Sequence, residues 1–268
     1  MTFARRLTDR ISQVGALCVG IDPHPAVIER WGHSYGVAGL SAVSRGMVAA
    51  LADRVAAFKP QSALYEAHGS AGIAVLEQTI AEAQAAGALV ILDVKRGDIG
   101  STMQAYARAY LSDGSALAAD AVTLSPYLGF GSLMPAFEAA HATGRGVYVL
   151  ARTSNPEGGE IQQAVRVDGR TVVQAMVDDA AALNAASGQD AVGLVIGATH
   201  TDVGCDLSGF TGSILAPGIG AQGGTIDGLR QVFAAAAAQV LPAVSREVLL
   251  AGPEPQNLRA AVTRWLRA

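Results

Sequence analysis

Leu89-Val90-Ile91-Leu92-Asp93-Val94-Lys95-Arg96-Gly97-Asp98-Ile99-Gly100-Ser101-Thr102 is the most informative stretch of this chain. Leu89 to Leu92 form an unbroken apolar run, the pattern of a strand covered on both faces. Residues two apart on a strand share a face, so Asp93 and Lys95 point the same way and Val94 points away. Asp98 follows a glycine turn at the mouth of an expected helix, with Thr102 four residues on and on the same helical face. Charged side chains are rarely buried without a partner. An Asp-x-Lys-x-x-Asp set at the end of a core strand is therefore either an ion-pair network or chemistry.

Outward from this stretch, similar short apolar runs recur between alanine-rich segments of helical spacing. They cover residues 16–22, 56–61, 89–95, 121–125, 147–153, 192–198, 213–218 and 240–245. Eight strands alternating with helices predict parallel βα units closing on themselves, a (β/α)8 TIM barrel forming one domain over residues 1–268. Phe3, Leu7, Ile11 and Val14 mark one face of an N-terminal helix suited to closing the barrel floor, and Asn257 to Leu266 reads as a terminal helix. Ala234 to Ala238 reads as a helix. Asn155 to Arg170 is polar and glycine-bearing, an enlarged loop after the fifth strand.

Half of the 268 residues are apolar and the net charge is −4, with no basic stretch to track a phosphodiester backbone, so nucleic acid is not an expected partner. Cys18 and Cys205 lie far apart and outside any metal-ligand spacing, as in a reduced compartment. Residues 1–10 lack the apolar stretch of a secretory signal, and no apolar run is long enough to span a membrane. A soluble cytoplasmic protein is expected.

Active sites of such barrels lie at the carboxyl ends of the strands. Those ends carry Asp22, Lys59, Asp93 with Lys95, Ser154, Pro217 with Gln222, and Arg246. Lys59, Asp93, Lys95 and Asp98 can form an alternating plus-minus array. Two unit charges ~4 Å apart interact by about 4 kcal/mol at an effective dielectric of 20, so each member keeps its neighbours ionised. A fixed carboxylate repels an anionic substrate group, and a charged ammonium donates a proton. Together they suit a reaction that expels a carboxylate and protonates the carbanion left behind. Residues 215–224, Leu-Ala-Pro-Gly-Ile-Gly-Ala-Gln-Gly-Gly, bring backbone N–H groups and the Gln222 amide to an anion, and Arg246 adds a guanidinium fork. Loops after the last two strands are the usual phosphate position in this architecture. A phosphorylated small molecule is the expected ligand.

These residues resemble the orotidine 5′-phosphate decarboxylase family nearly end to end. The resemblance is carried by Gly20-Ile21-Asp22-Pro23, Phe58-Lys59-Pro60, Asp93-x-Lys95-x-x-Asp98-Ile99-x-x-Thr102, residues 217–224 and Ser245-Arg246. Thr123 to Gly129 and Thr153 to Pro156 look like the longer bacterial branch. The resemblance implies conversion of orotidine 5′-monophosphate to uridine 5′-monophosphate and carbon dioxide, with no metal and no organic cofactor. Asp93 would press on the substrate carboxylate and Lys95 would protonate the carbanion at the sixth position of the pyrimidine. Asp22 and Lys59 would bind ribose hydroxyls, Lys59 also ordering Asp93. Ser154 would meet the pyrimidine amide and Pro217 the base, with Gln222, Gly223 and Arg246 at the phosphate. Asp98, Ile99 and Thr102 would enter the neighbouring subunit's site, implying a homodimer with composite sites.

Other readings stand beside these. Asp98 is also a good helix N-cap, Asp22 before a proline fits a turn, and Asp93 with Lys95 would serve as a structural ion pair. His24, His68 and His200 lie near strand ends without ligand spacing, as surface or core histidines do. Metal-dependent sugar-phosphate decarboxylases and aldolases share the Asp-x-Lys-x-x-Asp strand end. A catalytically silent barrel sensing a phosphorylated metabolite would have no need of Lys95 beside two carboxylates.

Overall fold

A computed structural model describes residues 1–220 and 223–267. Eight parallel strands close in sequence order, β8 returning to β1. They are β1 (Cys18–Ile21), β2 (Ala57–Pro60), β3 (Leu89–Arg96), β4 (Ala121–Leu124), β5 (Gly146–Arg152), β6 (Val192–Ile196), β7 (Ile214–Ala216) and β8 (Val240–Val244). Each matches an apolar run of the sequence to within two residues at either end.

Alternation along the strands sorts their side chains into two cores. Val19, Phe58, Val90, Leu92, Val122, Val149 and Val244 face outward into the layer packed by the helices. Cys18, Ala57, Leu89, Ile91, Ala121, Tyr148, Leu215 and Ala243 fill the barrel interior. The helix Phe3–Val14 seats Phe3 and Leu7 in that interior, with Ile11 and Val14 packed against it. Phe3 meets Tyr148 edge-on at 6.0 Å, and a side chain at Gly146 would strike the Phe3 ring. The floor is therefore plugged by apolar groups, and the polar end of the barrel is the other one. Continuing the inward set along the strands leads from Cys18 to Asp22, from Ala57 to Lys59, from Ile91 to Asp93 and from Ala121 to Thr123.

Two expectations are refined and two need correction. The Ala234–Ala238 run is helical, as a separate 3-10 helix, Ala234–Gln239, because Ala234 takes a φ of 39° and ends the helix Ile226–Phe233. The enlarged loop after β5 holds a 3-10 turn, Pro156–Gly158, and a short helix, Gly159–Gln162. Arg246 does not end β8 but opens the short helix Arg246–Leu249. The helix after β3 is Gly100–Leu111, capped by Ile99, so Asp98 precedes it and shares no helical face with Thr102.

Candidate active site

Asp93 is the centre of the polar end. It is 5% exposed, in a strand whose preceding residues are wholly apolar. Its two oxygens accept from four side chains. Lys59 Nζ donates to Oδ2 at 3.0 Å and Gln61 Nε2 to the same oxygen at 3.1 Å. Lys95 Nζ donates to Oδ1 at 2.6 Å and the Thr123 hydroxyl at 2.7 Å. An ionised carboxylate offers about four lone-pair sites, so Asp93 is saturated and has none left for a ligand or a cation.

The electrostatics follow from this crowding. Burial alone pushes the Asp93 carboxyl up, but Lys59 and then Lys95 outweigh it and hold the group well below the usual carboxylate range. Burial likewise pulls Lys59 down, and Asp93 with Asp22 more than reverses it, leaving the ammonium above the ordinary lysine range. Both charges are locked on. Cys18, beneath them in the barrel, is pushed up to about 12, chiefly by burial, and stays a neutral filler.

Lys95 is unlike its neighbours. Its backbone takes a φ of 46°, unusual for any residue but glycine, and the β3–β4 register shifts between Leu92 and Arg96. This bulge lifts Lys95 to the cleft mouth, where its side chain is 44% exposed while its amine still reaches Asp93.

Around this centre opens a cleft of 420 Å³, within the usual range for small-molecule sites. Asp22, Lys59, Asp93, Lys95, Ser154, Pro217 and Arg246 all line it, with Leu150, Val195 and Leu215 as an apolar floor. Asp22 Oδ2 accepts from the Ser245 hydroxyl, and Oδ1 is buried with no hydrogen-bond partner among the described residues. Thr153, beside Ser154, is gripped from the enlarged loop: its N–H donates to Gln162 Oε1 at 3.0 Å, and Gln162 Nε2 donates to its hydroxyl at 2.8 Å. That loop thus braces the segment carrying Ser154. Gly223 sits in a turn at φ 93°, with its N–H donating to the Gly220 carbonyl. Gln222 lies outside the described residues.

Asp98, Ile99 and Thr102 are not brought to this cleft. The chain turns at Gly97, packed against the Ser125 carbonyl. Asp98 accepts from the Ile99 N–H and makes no ion pair with a described residue. The expected four-member charge array is therefore three within this chain, Lys59, Asp93 and Lys95. Ile99 and Thr102 are exposed, and Asp98 is half-buried. Gln61 and Thr123 were not singled out from the sequence. Both are two residues beyond an inward-facing position, and that alternation was the available signal.

A family model described as orotidine 5′-phosphate decarboxylase / HUMPS matches residues 15–261. The chain belongs to this family. An orotidine 5′-phosphate decarboxylase of Salinispora arenicola is 54% identical over 266 residues, covering 99% of this chain and 96% of the relative. A crystal structure from Streptomyces avermitilis superposes with a TM-score of 0.93 at 53% identity, covering 99% of this chain and 94% of that one. A Leishmania donovani OMP decarboxylase superposes at 0.80 with 31% identity, covering 100% and 97%. Among the described residues no group of three or more His, Cys, Asp or Glu is arranged to hold a metal, and no helix is long and apolar enough to cross a membrane.

Proposed function

We propose that this protein is an orotidine-5′-phosphate decarboxylase, converting orotidine 5′-monophosphate to uridine 5′-monophosphate and carbon dioxide in the last step of de novo UMP synthesis. The observation that carries the mechanism is the saturation of Asp93 beside the Lys95 ammonium. A substrate carboxylate set against Asp93 finds a fixed negative charge with no lone pair to spare for sharing a proton. Loss of carbon dioxide removes that repulsion. The bond from C6 to the carboxyl carbon breaks, its electron pair stays on C6, and Lys95 transfers a proton from Nζ to C6. Solvent then reprotonates the amine.

The remaining cleft residues bind. The unpartnered Asp22 Oδ1 and the Lys59 ammonium suit ribose hydroxyls, Ser154 the pyrimidine amide, and Pro217 the base. Gln222, Gly223 and Arg246 are assigned to the phosphate, whose binding energy stabilises the charged, closed state at the reacting end. Asp98, Ile99 and Thr102, turned away from their own cleft, are assigned to the neighbouring subunit's site in a cytoplasmic homodimer. The chemistry as written uses neither metal nor organic cofactor.

Incubating purified protein with orotidine 5′-monophosphate in excess chelator, and following loss of the substrate's ultraviolet band, tests this reading. Turnover unaffected by the chelator is expected. Activity that vanishes with chelation and returns with a divalent ion would favour a metal-dependent relative on the same barrel, and binding of uridine 5′-monophosphate without turnover a silent sensor.

A further inference from the structure

We infer that Thr123, on β4, is a positioning residue for decarboxylation, its hydroxyl holding both the Asp93 carboxylate and the bent backbone that presents Lys95. The inference rests on the functional reading above. Thr123 is 1% exposed, inside the barrel top. Its Oγ1 accepts the Val94 N–H at 3.1 Å and the Lys95 N–H at 3.0 Å, and donates to Asp93 Oδ1 at 2.7 Å. A hydroxyl has one donor and two acceptor sites, so this one is fully committed to three consecutive residues of β3.

The arrangement answers a local problem. At the bulge the β3–β4 ladder loses its register between Leu92 and Arg96. Buried N–H groups need partners, and the two that the bulge releases find theirs in one side chain instead of the β4 backbone. Lys95 is held at φ 46°, a conformation that persists only when its surroundings over-determine it. Thr123 Oγ1 and Lys95 Nζ also meet on the same Asp93 oxygen. One oxygen atom therefore couples the carboxylate's orientation to the place from which the proton leaves, without itself contacting C6.

The test compares wild type with Thr123→Val, which keeps shape and loses the hydroxyl, and Thr123→Ser, which keeps the hydroxyl. Turnover of orotidine 5′-monophosphate and affinity for uridine 5′-monophosphate, which lacks the carboxylate, are both measured. Thr123→Val should lose about 100-fold in kcat, the scale of an ångström misplacement, with product affinity within about 3-fold of wild type. Thr123→Ser should stay within about 3-fold of wild type on both measures. If Thr123→Val does not fold, Thr123→Cys decides, since a thiol is a weak donor and acceptor. A variant lacking the hydroxyl that keeps kcat, or loses product affinity in step with kcat, would overturn the inference. No turnover by the wild type would instead sink the functional reading itself.

Discussion

The hydroxyl of Ser245, just past the end of β8, donates to Asp22 Oδ2, just past the end of β1, at 2.6 Å, closing the barrel top across its first and last strands. A Cβ on Gly20 would collide with both side chains, so the bare backbone there permits the contact. The pair holds Asp22 with its other oxygen, Oδ1, buried and unpartnered. An unpaired buried carboxylate oxygen costs stability, and a ligand hydroxyl would relieve it.

Asp22→Ala should therefore lower kcat/KM for the nucleotide by about 10- to 100-fold, the value of a hydrogen bond to a charged group. Ser245→Ala should act in the same direction and more weakly, because it loosens Asp22 without removing it. Steady-state kinetics on both variants check the order. A larger loss from Ser245→Ala would contradict it.

Lys59 and Lys95 share one carboxylate but differ in burial, at 10% and 44% side-chain exposure. Lys59→Ala should destabilise the fold by about 3–5 kcal/mol, since it strips a partner from a buried charge. Lys95→Ala should cost about 1 kcal/mol or less in stability yet lower kcat by at least 10²–10⁴-fold, as expected for loss of a proton donor. Urea unfolding and turnover measured on the same preparations separate the two effects.

Stability should depend on pH with a definite sign. The Asp93 carboxyl is depressed in the fold, so its contribution is complete above the unfolded carboxylate value and is lost as pH falls through the folded one. Lys59 is raised, so its contribution is complete below the ordinary lysine value and is lost only as pH rises beyond it. The pair is therefore insensitive to pH from about 5 to 9. Below that window Asp93→Asn should remove up to about 1.4 kcal/mol per pH unit from the acid-side slope. Identical slopes in urea unfolding at pH 2.5 to 4 would contradict this.

Arg246→Ala should reduce kcat/KM for orotidine 5′-monophosphate by about 10- to 100-fold, the scale of a lost charge-assisted hydrogen bond. The same variant should barely change turnover of the nucleoside lacking phosphate. Equal losses on both substrates would remove Arg246 from the phosphate site.

Mixed subunits test the role of Asp98. Lys95→Ala and Asp98→Ala proteins, each inactive alone, should regain activity on mixing, because each heterodimer then carries one site with neither substitution. Subunit exchange confirmed by mass, with no recovered turnover, would place Asp98 outside the partner's site.

The barrel could be read along the chain because its causes are local. Eight apolar runs of strand length mark β1 to β8, and a period of two carries each inward face to Asp22, Lys59 and Asp93. Hydrogen bonding across strands carries no such mark. Gln61 and Thr123 reach Asp93 from 32 and 30 residues away, and whether they do so depends on the stagger of β2 and β4 beside β3. The same holds for the bulge: period two aims Lys95 inward, but its left-handed backbone arises from a register shift between β3 and β4. Asp98 departs from its neighbours because Gly97 lies against Ser125, a contact between two different strand ends. Side-chain facing is a property of one strand and is written in its own residues. Donor–acceptor pairing is a property of closure, and it exists only once all eight strands are laid side by side.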